Sequence, residues 1–150
     1  MQTLKALLGT TAFCLVTTLV SAQKEGKGDQ ILGEWKAKEK VLTIQIYKQG
    51  AVYNAKIISF TDHHNPMPSD QRQDDKNPDP ALRKRKMIGM NVLSDLTYSD
   101  GDGKWTKGKI YDAGSGKTYS VNAELSSNGE LSVRAYKGIT LLGKTLTFHR

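Results

Sequence analysis

The sequence predicts an all-β fold, an antiparallel meander closed into a barrel of about eight to ten strands. Short stretches that alternate apolar and polar residues recur at roughly ten-residue spacing, with Gly, Asn or Asp between them. No segment beyond the leader carries a helical period. The pattern fits a barrel or a sandwich, and closure into a barrel is expected because it removes the exposed edges that an exported sheet would otherwise present.

Residues 1–22 read as a secretory signal, with Lys5 as the charged start, an apolar run from Ala6 to Val20, and Val20-Ser21-Ala22 as a small-residue cleavage site. The run is shorter than the roughly 20 residues that cross a bilayer, so removal after Ala22 is expected rather than anchorage. The expected mature chain runs from Gln23 to Arg150 and resides in the periplasm or outside the cell. Cys14, the only cysteine, lies in the leader behind Phe13 rather than a small residue. The mature chain therefore has no thiol, no disulfide and no cysteine-ligated metal, and holds itself together by core burial alone.

The formal charge is +7, and Lys5 is the only charge in the leader. The excess suits solubility, or attraction to an anionic partner. It is scattered apart from Arg83-Lys84-Arg85-Lys86, which has no interleaved aromatics to stack bases. No nucleic-acid surface is expected. As a rim charge, the run would suit anionic ligands or lipid headgroups.

Along the chain, residues 23–30 are Lys, Gly, Glu, Asp and Gln, a flexible lead-in with nothing to bury, ahead of a barrel domain over 31–150. Leu42, Ile44 and Ile46 alternate with Thr43, Gln45 and Tyr47. Gln49-Gly50 turns the chain, and Val52 to Ile58 returns as the second arm of a hairpin. Thr61 to Leu82 holds all four prolines, the pair His63-His64 and almost no apolar residue, and reads as a lid or an excursion. The apolar pattern resumes over Met87 to Leu96. Turns at Ser99 to Gly103, Ala113 to Gly116, Ser126 to Gly129 and Gly138 to Gly143 separate the remaining strands, the last ending at Arg150.

Gly33-Glu34-Trp35, Asn77-Pro78-Asp79, Gly89 with Leu93, Asp112, Gly116-Lys117-Thr118-Tyr119 and the closing run Arg134-x-Tyr136-x-Gly138-Ile139-x-Leu141-Leu142-Gly143-Lys144-Thr145 resemble, in order, the bacterial family known as domain of unknown function 2147. The resemblance implies a calycin, the barrel superfamily of lipocalins and fatty-acid-binding proteins. Many members carry a cysteine pair where this chain has His63 to Asp75, so a role resting on that pair does not transfer. The family has no settled activity, and the resemblance bears on fold more than on function.

Lipocalins open with a glycine-x-tryptophan strand and set a late basic residue on that indole. Here Trp35 matches the first, and Arg150 or Arg134 the second, a contact worth about 0.5–2 kcal/mol; the plain alternative is a large core residue. Arg134 and Tyr136 are two apart on a strand and share a face. Turned inward they would grip a carboxylate, as a similar pair does in fatty-acid-binding proteins. Turned outward they would leave Leu131, Val133 and Ala135 as the inner face. Tyr47, Tyr53 and Tyr119 are further candidates to line an interior.

Other motifs reduce to turns. Gly114-Ser115-Gly116-Lys117-Thr118 lacks the leading glycine of a phosphate loop, since position 111 is Tyr111, and no helix follows it. Asp100-Gly101-Asp102-Gly103-Lys104 begins like a calcium loop but puts Lys104 at a ligand position. Asp62, His63 and His64 are adjacent side chains that rarely converge on a metal, and His149 lies on another strand. No nucleophile is paired with a base, so no catalytic residue, metal or cofactor is assigned. The expectation is an exported barrel that binds an apolar or amphipathic, fatty-acid-like molecule. The alternatives are a packed barrel acting through its surface in the cell envelope, and a hydrolase using the histidine-bearing loop.

Overall fold

The computed structural model describes residues 26–38, 42–138 and 143–150; the leader with Cys14, and Ile139, Leu141 and Leu142 of the closing motif, lie outside the described residues. Eight strands form a closed antiparallel barrel in sequential order. They are β1 (Gly33–Ala37), β2 (Leu42–Gln49), β3 (Val52–Phe60), β4 (Asn91–Ser99), β5 (Lys104–Asp112), β6 (Lys117–Leu125), β7 (Leu131–Tyr136) and β8 (Lys144–His149). The strand count is the lower bound expected from the turn spacing. The seam is short, with Lys36 opposite His149 and Ala37 opposite Phe148.

Alternation decides which residues fill the interior. Ile44 and Ile46 of β2, Ala55 and Ile57 of β3, Val121 and Ala123 of β6, and Leu131 and Val133 of β7 are buried. The pattern over Met87 to Leu96 begins to pair as a strand only at Asn91, because Gly89 has a positive φ of 86° and the chain turns there.

The hairpin turns sort into two ends. The β2–β3, β4–β5 and β6–β7 turns lie at one end, where a 3-10 turn over Lys27–Ile31 also packs. The residues 61–90 and the β5–β6 and β7–β8 connections lie at the other. The first end is sealed. Ile31 is fully buried, and Trp35 and Trp105 are each 1% exposed. The Trp35 indole N–H donates to the Ile31 carbonyl at 2.8 Å, and that of Trp105 to the Gly28 carbonyl at 3.1 Å. A Cβ at Gly28 would lie 2.5 Å from the Tyr53 hydroxyl and 2.7 Å from Tyr98, so only glycine lets the chain cross the barrel floor there.

This corrects the expectation for residues 23–30, of which 26–30 are described. They carry few apolar groups, but their backbone carbonyls and Asp29 supply partners for indoles and a tyrosine that would otherwise be buried unsatisfied. Arg150 completes the seal: its guanidinium donates to the Gln30 carbonyl at 2.6 Å and the Leu32 carbonyl at 3.1 Å, and lies 4.8 Å from the Trp35 ring centre. Of the two basic residues the sequence offered for that contact, Arg150 makes it.

Candidate functional site

The other end opens into a cavity of about 570 Å³. Its deeper walls are aliphatic and aromatic, with Ile44 of β2, Ile57 of β3, Leu93 of β4, Ile110 of β5, Val133 of β7 and Phe148 of β8 among them. Strands β2 to β8 contribute, for the most part through inward alternation, so much of the lining follows from the period-two pattern. Thr61 and Met87, at either end of the long loop, form part of the mouth with Asp112, Ala113 and Gly114, and Lys137 and Lys144 flank the β7–β8 connection beside it.

The long loop is fastened at this mouth by a buried carboxylate. Asp74 is 0% exposed and accepts from the Tyr111 hydroxyl at 2.6 Å, Asn77 Nδ2 at 2.7 Å and the Arg85 guanidinium at 2.8 and 3.0 Å. Burial works against its charge, but the three donors outweigh it and hold the carboxyl below the usual carboxylate range. Tyr111, whose ring lines the cavity, is pushed up to about 12, by burial first and then by the bond to Asp74. Asn77 is well suited to the family motif it begins: its other amide atom accepts from the Asp79 N–H, and Asp79 in turn caps the short 3-10 turn Pro80–Leu82.

The loop also presses on the β5–β6 turn. Lys76 Nζ donates to the Gly114 carbonyl at 2.7 Å, and a Cβ at Gly116, where φ is 69°, would stand 2.0 Å from the Lys76 carbonyl oxygen. This is why the Gly-Ser-Gly-Lys-Thr run needs its second glycine, and it has no bearing on phosphate. An excursion with almost no apolar residues is thus held by hydrogen bonds rather than by burial.

The six residues singled out in the sequence separate into three groups. Tyr119 and Tyr136 line the cavity. Trp35 and Tyr53 belong to the floor, where the Tyr53 hydroxyl donates to Asp29 at 2.6 Å and its ring meets Trp105 edge-on at 6.5 Å. Tyr47 and Arg134 are on the outside: the Tyr47 hydroxyl donates to Asn91 Oδ1 at 2.9 Å, and Arg134 donates to the Thr145 hydroxyl at 3.0 Å. The Arg134–Tyr136 clamp is therefore not assembled in the cavity. Leu131, Val133 and Ala135 take the inner face, and Tyr136 reaches the mouth because it is the last residue of β7.

Sequence reasoning passed over Asp74, Tyr111, Lys137 and Lys144. Alternation with the cavity-lining Ile110 gave no signal for Tyr111, since it would put Tyr111 on the outer face; for the two lysines the signal was their position on either side of a connection. Nothing in the local sequence of Asp74 marks it as buried. Among the described residues no group of three His, Cys, Asp or Glu side chains could hold a metal ion, and no helix is long and apolar enough to cross a membrane.

An eight-stranded antiparallel barrel with one sealed end, one open end and an apolar interior is a lipocalin-like fold. The chain belongs to the family described as "uncharacterized protein conserved in bacteria (DUF2147)", whose model matches residues 33–150. Among solved structures it is similar to protein HP1028 from the human pathogen Helicobacter pylori, described as belonging to the lipocalin family. That protein is 30% identical over 80% of this chain and 82% of its own, with a TM-score of 0.68. No curated protein matches the chain.

Proposed function

We propose that this protein is an exported container for one apolar or amphipathic, fatty-acid-like molecule, taken into the barrel through its open end. The cavity carries the reading: about 570 Å³ of space walled by aliphatic and aromatic side chains, within the roughly 300–1,000 Å³ usual for small-molecule sites. Hydrocarbon would replace water against Ile44, Ile57, Leu93, Val133 and Phe148, gaining about 0.8 kcal/mol per buried methylene before ordering costs. Lys137 and Lys144 at the mouth suit a ligand whose polar or anionic end stays near solvent. The likeness to a protein described as a lipocalin supports the same reading. The leader over residues 1–22 supports export. A barrel filled by its own side chains is disfavoured by a cavity of this volume.

Titration with an apolar fluorescent probe, together with native mass spectrometry of protein purified from its own host, tests this. The parent protein should take up one probe molecule. Ala135→Trp, which places an indole in the cavity, should lower probe affinity at least tenfold while keeping cooperative unfolding. Arg134→Ala should leave affinity unchanged. A parent that takes up no probe, or an Ala135→Trp variant that binds as well as the parent, would overturn the container reading.

A further inference from the structure

The two exposed large apolar side chains among the described residues are Met67, 51% exposed, and Leu82, 38% exposed. Both lie in the loop between β3 and β4, at the open end. That loop is folded into two lobes. Arg72 pairs with Asp62 at 3.0 Å, and the Arg72 carbonyl accepts from Met87 N–H, which closes a first lobe around Met67. The bridge between Gln73 and Lys86 and the Arg85–Asp74 ion pair close a second lobe, with Leu82, Arg83 and Lys84 beyond the ties. Each lobe thus carries one solvent-facing apolar residue away from a fixed base.

Charge at the two ends of the barrel is not alike. On the connections of the open end, Lys76, Arg83, Lys84, Lys86, Lys117, Lys137 and Lys144 are exposed, against exposed Asp70, Asp75, Asp79 and Asp112. The remaining acids of the loop, Asp62 and Asp74, are already bound to Arg72 and Arg85. At the sealed end the exposed Lys27 and Arg150 meet the exposed Asp100 and Asp102 in equal number, and Asp29, Glu124 and Glu130 are paired with Lys48, Lys104 and Lys38. The cationic excess therefore surrounds the mouth of the cavity.

We infer that the open end is a docking face for an anionic lipid bilayer, with Arg83, Lys84 and Lys86 against the headgroups and Met67 and Leu82 entering the interface. Two apolar side chains on separate lobes of a cation-rich end fit a fluid lipid surface better than a protein groove, which would require a contiguous apolar patch. The four exposed acids at the same end limit the attraction, so docking is shallow, reversible and sensitive to salt. The consequence rests on the container reading: a molecule dissolved in the bilayer would pass between lipid and cavity without crossing water. The docking itself does not depend on that reading.

Co-sedimentation with vesicles tests the inference. The full-length mature protein is mixed at low salt with vesicles of phosphatidylglycerol and phosphatidylcholine, and separately with phosphatidylcholine alone. It should pellet with the anionic vesicles, be released by salt, and stay in solution with the neutral ones. Replacing Arg83, Lys84 and Lys86 together with Gln should weaken partition at least tenfold, since each cation near an anionic leaflet contributes a several-fold factor. Met67→Ser should weaken it several-fold, and Lys27→Gln at the sealed end should leave it unchanged. Probe uptake without vesicles should be kept in every variant, which separates lost docking from lost folding and from failure of the container reading. No binding to anionic vesicles, equal binding to neutral ones, or full partition of the triple variant would overturn the docking face; a cationic patch that ignores lipid would then fit an acidic protein instead.

Discussion

The two ends of the barrel use the same chemical device for opposite purposes. At the floor, Asp29 accepts from the Tyr53 hydroxyl at 2.6 Å and pairs with Lys48 at 2.7 Å. At the mouth, Asp74 accepts from the Tyr111 hydroxyl at 2.6 Å and pairs with Arg85 at 2.8 Å. Both tyrosines are pushed up to about 12, by burial and by the carboxylate they face. Each aspartate thus fastens a segment poor in apolar residues onto a strand. What differs is the surrounding packing. Tyr53 meets the Trp105 indole edge-on within the buried core, whereas Tyr111 borders the cavity. A tyrosine–aspartate bond therefore positions an end of the barrel but does not close it; apolar volume does.

Substitution at the floor should break that contrast most severely. Trp35→Ala removes one of the two buried indoles and leaves the Ile31 carbonyl without its indole donor. A loss of about 3–5 kcal/mol is expected, from the cavity created. Tyr119→Ala at the open end, which only enlarges an existing cavity, should cost about 1 kcal/mol or less. Denaturant unfolding of both variants measures the difference, and equal losses would mean that the floor is no more tightly packed than the mouth.

Next in size is the latch at the mouth. Asp74→Ala should cost about 2–3 kcal/mol, because Arg85, Asn77 and Tyr111 all lose their shared acceptor. The more telling consequence is local. Limited proteolysis should cut within residues 61–90 much faster than in the parent, while the strands keep their protection. Tyr111→Phe removes one donor and should loosen the same loop by about 1 kcal/mol. Unchanged cleavage in both would show that Lys76 and the approach to Gly116 are enough to hold the loop.

Legibility in the sequence follows the same division. The strands and their turns were readable because a half-buried strand must alternate and a hairpin must bend at Gly, Asn or Asp, and both constraints are local. The contact on Trp35 was readable only as far as two candidates, Arg150 and Arg134, which the lipocalin resemblance supplied; the structure puts Arg150 on the indole. Residues 26–30 were misread since backbone carbonyls do their work there, and carbonyls leave no mark in a sequence. Asp74 was hidden for a related reason: its partners come from positions 77, 85 and 111. The inner and outer faces of β7 were left open by a strand whose two faces, Leu131-Val133-Ala135 and Ser132-Arg134-Tyr136, could each face either way, and pairing with β6 and β8 decided it.

Acid should sharpen the comparison with the smallest of these effects. Asp29 is lowered from 3.8 to about 2, by the Lys48 bond first and then by Tyr53 and the Gly26 N–H. A carboxyl depressed in the folded state contributes stability that is present above its ordinary value and fades as pH falls through the folded one. The floor should therefore weaken slightly as pH falls from about 4 to 2. Asp74 is also lowered, with the same sign. Asp29→Asn should flatten the acid limb of global stability measured by thermal melting, while Asp74→Asn should flatten the acid limb of proteolysis in residues 61–90. If both substitutions act on the same limb, the floor and the mouth unfold as one unit. If each acts on its own, the loop at the mouth opens under conditions in which the sealed barrel still stands.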